Sequence, residues 1–102
     1  MNIFEQIPKD LKEEVFETIL SSEKLSIERI ISHGQSSPLS GWYEQEKNEW
    51  VILLQGEALI SFESKEDVTL VAGDYLHIPT LQKHRVAWTQ PNVVSIWLAI
   101  KY

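Results

Sequence analysis

The chain reads as an all-β domain, two antiparallel sheets folded over each other as a sandwich or barrel, with one short N-terminal helix. Three observations predict this. Six or more short apolar or alternating runs follow one another after residue 25. Glycine, proline, asparagine and charged turns punctuate them. Only one segment carries a helical period, and 102 residues at 43% hydrophobic content suffice for one compact core and one pocket.

Taken in order, Ile7-Pro8 precedes Lys9 to Leu20, whose apolar residues at 11, 15, 16, 19 and 20 fall on one face of a period of about 3.6. The expectation is an amphipathic helix over residues 9–20, with Pro8 in its first turn and Ser21-Ser22 at its end. Residues 1–24 then form a helical extension and residues 25–102 the barrel. Strands are expected at Leu25 to Ile31, Trp50 to Leu54, Ala58 to Glu63, Val68 to Val71, Tyr75 to Ile78, Arg85 to Trp88 and Val93 to Ile100. The last is apolar on both faces for part of its length, so it belongs in the centre of a sheet, covered on one side by the core and on the other by the helix or a second subunit.

Composition removes several function classes. There is no cysteine, so thiol nucleophiles and thiolate metal sites are excluded. Catalysis must come from carboxylates, imidazoles, hydroxyls or a metal held by oxygen and nitrogen. A formal charge of −6, from 15 acids against 9 lysines and arginines, disfavours a polyanionic partner, and Lys83-His84-Arg85 is too short to track a phosphate backbone. Nucleic acid is therefore not expected. No apolar run reaches the roughly 18 residues of a membrane span, and the first residues lack an export pattern, so the expected location is cytoplasmic. No glycine-flanked serine elbow and no phosphate loop appear.

The turn residues fall in a recognisable register. Six residues separate Glu49 from Gly56, five separate Gly73 from Pro79, and four separate Pro79 from His84. This register resembles the two signature motifs of the cupins, small double-stranded β-helix (jelly-roll) proteins, over about residues 25 to 100. In the first motif two histidines precede the glutamate. Trp42 and Glu44 stand in their places. In the second, Leu81 replaces a glycine and Trp88 an asparagine.

The resemblance implies a divalent metal held by the motif glutamate and histidines. Carried onto this sequence it keeps Glu49 and His84 and loses both histidines of the first motif. Glu44 could supply a third ligand, with Gln45 as its replacement, and Zn, Mn, Ni or Fe would suit such a mixed donor set. Alternation also points Glu49 to the face of Val51 and Leu53, and His84 to the face of Val86 and Trp88. A carboxylate sharing a face with core residues must be paired, protonated or metal-bound.

Trp42, Trp88, Gln45 and Arg85 are expected to complete a pocket for a small molecule with a flat or apolar part. Trp97 reads as barrel filling, His77 as a residue facing solvent or an interface, and His33 as a loop residue. Three readings stay open: a cupin-fold binding protein for a metal or small metabolite, a metal-dependent isomerase, epimerase or oxygenase-like enzyme on a sugar or other small polar metabolite, and a structural or regulatory protein with an occluded barrel. A homodimer is expected in each case.

Overall fold

The computed structural model describes residues 1–37 and 41–102. Eight strands make up the fold: β1 (Val15–Ser21), β2 (Ser26–Ser32), β3 (Glu49–Gln55), β4 (Glu57–Phe62), β5 (Val68–Val71), β6 (Tyr75–Ile78), β7 (His84–Thr89) and β8 (Ser95–Lys101). A five-stranded sheet in the order β1-β2-β8-β3-β6 faces a three-stranded sheet in the order β5-β4-β7. Every pairing is antiparallel. The crossover that inserts β8 between β2 and β3 gives the jelly-roll arrangement expected from the turn register. Among the described residues no helix is long and apolar enough to cross a membrane.

The N-terminal helix expected over residues 9–20 is not there. No helix exists among the described residues, and the second half of that segment is strand β1. The physical reason lies in a bulge. Thr18 pairs with Glu28 and Leu20 with Ile27, which leaves Ile19 as an extra residue. One extra residue shifts a period of two by one step, and the apolar spacing then imitates a helical face. Val15, Phe16, Thr18 and Ile19 are also β-branched or aromatic residues that fit a pleated surface. A free helix of a dozen residues is marginal in water, whereas the open edge of β2 offers a full ladder. Ser22 closes the hairpin rather than a helix, its N–H donating to the Leu25 carbonyl at 2.7 Å.

The core lies between the sheets. Val51 and Leu53 of β3, Ala58, Ile60 and Phe62 of β4, Leu70, Ile78, Trp97 and Ala99 form one buried cluster. Each large aliphatic side chain removed from water contributes about 1.5–3 kcal/mol. β8 is central as expected, with Ile96, Trp97 and Ala99 at most 3% exposed. The outer face near β1 and β2 is covered by an irregular N-terminal segment. Arg29, 7% exposed, pins it: its guanidinium donates to the carbonyls of Ile3 at 3.0 Å, Glu5 at 2.6 Å and Gln6 at 3.2 Å, and reaches the Glu17 carboxylate at 2.6 Å.

Candidate functional site

One cavity of about 270 Å³ opens between the two sheets. Its floor is apolar, formed by Val51, Ile60, Ile78, Val86 and Trp97, and its polar groups converge from five parts of the chain. Glu49 comes from the first residue of β3 and His84 from the first of β7. Lys101 ends β8, directly opposite Glu49 in the ladder. Glu44 and Gln45 come from the segment before β3, and Glu14 from the residue before β1.

Glu49 and His84 meet across the cavity, with Glu49 Oε1 3.9 Å from His84 Nε2. Their side chains are 13% and 10% exposed, so both are largely withdrawn from water. Burial pushes the Glu49 carboxyl above its ordinary value of 4.5. Lys101, His84 and a hydrogen bond from Gln45 pull the other way, and Glu28 adds to the rise. His84 is oriented by its other ring nitrogen, Nδ1, which lies 2.9 Å from the Gln82 carbonyl. A carbonyl only accepts, so Nδ1 carries a hydrogen and Nε2 faces Glu49. The Tyr43 backbone holds the same strand in place through two bonds with His84, N–H to carbonyl at 2.8 Å and 3.0 Å.

Glu44 lines the cavity from an exposed position, and Gln45 lines it half-buried. The loop after Pro79 fixes Gln45, whose carbonyl accepts from the Leu81 N–H at 2.8 Å. Trp42, Arg85 and Trp88 are not among the lining residues. Trp42 is 37% exposed and lies under the Arg85 guanidinium, 5.0 Å from its ring centre. Glu44 and Trp42 thus do not enter together as an extended chain would require, because Tyr43 makes only an isolated bridge and the segment is not a strand.

Trp88 faces out because of a second bulge. Leu59 pairs with Trp88 and Ile60 with Val86, so Ala87 is the extra residue. His84 and Val86 point in, Trp88 is 38% exposed, and Thr89 is 1% exposed. His77 is exposed and stacks on Tyr102, whose hydroxyl lies 3.1 Å from Nε2. His33 is exposed in a loop.

The residues do not fit a divalent metal. Among the described residues no three of His, Cys, Asp or Glu are grouped so as to hold one. Glu44, Glu49 and His84 therefore do not assemble into the ligand set that the motif register implied, since Glu44 stays at the rim. The Lys101 ammonium lines the same cavity and acts on Glu49. It is already the cation facing that carboxylate, and would repel a second.

Sequence reasoning missed Lys101, Glu14 and Phe16, all of which line the cavity. Lys101 was legible: Trp97, Ala99 and Lys101 share one face of a strand whose inward side is set by Trp97. Glu14 and Phe16 were hidden by the helical reading of their segment.

Two opposed antiparallel sheets with one polar-lipped cavity between them define a jelly-roll pocket protein, and the comparisons give its family. Residues 28–101 match the Cupin domain family, and the chain belongs to it. A structure from Ralstonia eutropha JMP134, provisionally assigned as a mannose-6-phosphate isomerase, superposes with a TM-score of 0.94 at 39% identity, covering 99% of this chain and 94% of that one. An RmlC-like cupin from Methanocaldococcus jannaschii shares the fold at a TM-score of 0.72 and 19% identity, over 94% and 85% of the two chains. A cupin superfamily protein from Desulfitobacterium hafniense does so at 0.75 and 23%, over 93% and 82%. No curated protein matches.

Proposed function

We propose that this cupin is an enzyme that moves a proton on a small polar metabolite, an isomerase or epimerase of a sugar-like substrate. The single observation that carries the reading is the Glu49 and His84 pair, held 3.9 Å apart and largely buried at one cavity. The provisional assignment of the Ralstonia relative as a mannose-6-phosphate isomerase supports isomerisation of a sugar skeleton as the reaction class.

The geometry suits a carbon acid next to a carbonyl. Glu49, with an oxygen close to the imidazole but beyond hydrogen-bond length, takes the proton from carbon. The C–H bond breaks, its electron pair moves into the carbonyl, and His84, entering the step with a hydrogen on each ring nitrogen, delivers the one on Nε2 to the oxygen and keeps the one on Nδ1 against the Gln82 carbonyl. Reversing the steps at the neighbouring carbon, or on the opposite face, gives the isomer or epimer. Gln82 keeps the imidazole turned, and the raised pKa of Glu49 brings carboxylate and acid closer to neutral working conditions.

The test is solvent exchange. A panel of aldoses, ketoses and their phosphates in D₂O should show carbon-bound deuterium appearing with wild type and not with Glu49→Gln or His84→Gln. Saturable binding without exchange for any member would replace the enzyme with a binding protein. We further propose self-association through the β1 edge, where Phe16, Ile19 and Leu20 are 59%, 52% and 54% exposed.

A further inference from the structure

Resting on the reading of this cavity as a metabolite site, we propose that it selects an uncharged hydroxylated ligand over the phosphorylated or carboxylated counterpart, with Glu14 and Glu44 setting that selectivity. The argument starts from charge. Glu14, Glu44 and Glu49 line the cavity, and Lys101 is the one lysine or arginine among the described lining residues. That lysine is not free for an anion, since Glu28 Oε1 lies 3.3 Å from its Nζ. Three carboxylates, Glu14, Glu44 and Glu49, thus line the cavity, and a fourth, Glu28, already holds its one lysine.

A phosphate or carboxylate group entering here meets like charge in partly dry surroundings, where repulsion is weakly screened. It also lacks the arginine fork or helix N-terminus that usually receives such groups. A hydroxyl donates to carboxylates without that repulsion and accepts from donors. One donor is unused: Trp97, 3% exposed and in the cavity wall, has an indole N–H with no partner among the described residues. A buried donor is costly to leave unmade, and a hydroxyl or carbonyl oxygen of a neutral ring satisfies it.

Glu14 belongs to the N-terminal segment, outside the residues that match the family. It is placed there by structure of its own. Its Oε2 accepts from Ser32 Oγ at 2.6 Å, and Gln35 holds the adjacent turn through the Leu11 carbonyl at 2.8 Å. The segment that covers the outside of the sheet thus also delivers a charge to the mouth of the cavity.

The experiment follows the Trp97 indole N–H by NMR at matched ionic strength. D-mannose, D-glucose and D-fructose, their 6-phosphates, and inorganic phosphate are the probes. The expected result is that at least one free sugar shifts the signal at tenfold or more lower concentration than its phosphate. A phosphate that binds as well as its free sugar overturns the proposal.

If no sugar binds, the sugar-like reading of the substrate fails, and the charge selectivity is decided separately with cationic, neutral and anionic nitroxides of one ring skeleton. The anionic probe should broaden the Trp97 and Ile60 signals least, and a Glu14→Gln, Glu44→Gln double variant should remove most of that difference. Equal broadening by all three in wild type sinks the selectivity.

Discussion

His84 Nε2 stands 3.9 Å from Glu49 Oε1 although the two are 35 positions apart in the chain, because β3 and β7 each begin at the same end of the barrel on opposite sheets. Each strand delivers its first side chain inward. The Gln82 carbonyl then fixes the imidazole, and Gln45 holds the carboxylate.

If this pair carries the proton transfer, Glu49→Gln and His84→Gln should each lower turnover by about 10²–10⁴ with the fold retained. The double variant should be little worse than either single one, because the groups act as a unit. Steady-state kinetics on the substrate found by solvent exchange checks both. Trp42→Ala and Trp88→Ala should leave KM within about twofold, a small change set by their place outside the cavity lining.

The raised pKa of Glu49 has a defined effect on stability. In the native state the carboxyl holds its proton at pH values where the unfolded chain has lost it. Its contribution is therefore greatest below the ordinary value of 4.5 and is lost as pH rises through the native value. Glu49→Gln removes that loss. Urea midpoints should be close for the two proteins at about pH 4 and higher for the variant at about pH 8. A variant less stable at the higher pH would mean that Lys101, His84 and Gln45 outweigh burial.

Two turn positions should respond in opposite directions. Leu81 stands where the second motif has glycine, yet keeps a left-handed φ of 62° and is 59% exposed. Leu81→Gly should stabilise by about 0.5–1 kcal/mol by relieving that conformation. Gly56 has φ 98°, and a Cβ there would lie 2.8 Å from the Cβ of the fully buried Ser95. Gly56→Ala should cost about 2–3 kcal/mol. Gly73, with φ 96° and nothing within 4 Å of the added carbon, should lose only about 1 kcal/mol on the same change. Chemical denaturation of the three variants gives the order.

Arg29→Met should release the N-terminal segment. The three carbonyls of Ile3, Glu5 and Gln6 lose their shared donor, and Glu17 loses its ion pair. The expected cost is about 2–3 kcal/mol. Amide exchange should quicken across residues 1–14 while β3 and β8 keep their protection.

Self-association through β1 predicts a dimer in sedimentation equilibrium at micromolar concentration. Ile19→Lys, placing a charge on the exposed edge, should return the 11.8 kDa monomer. β8, despite its double apolar character, is not expected to contribute, since it is enclosed by β2 and β3.

The sequence by itself determined the strands from Ser26 onward, the two turn glycines at Gly56 and Gly73, and the inward direction of Glu49 and His84. Each of these follows from a local rule: period-two alternation, a positive φ that glycine tolerates, or a polar residue sharing a face with core residues. Tertiary structure decided the rest. Bulges at Ile19 and Ala87 break the alternation on which the local rule depends, so the strand that carries Phe16 to the cavity imitated a helix in sequence, and Trp88 turned away from the pocket. Whether Glu44 could join Glu49 and His84 depended on the path of an irregular segment, and whether Glu14 and Lys101 would meet them depended on which strands became neighbours. Pairing across the sheet joins residues far apart in the chain, and no local period encodes it.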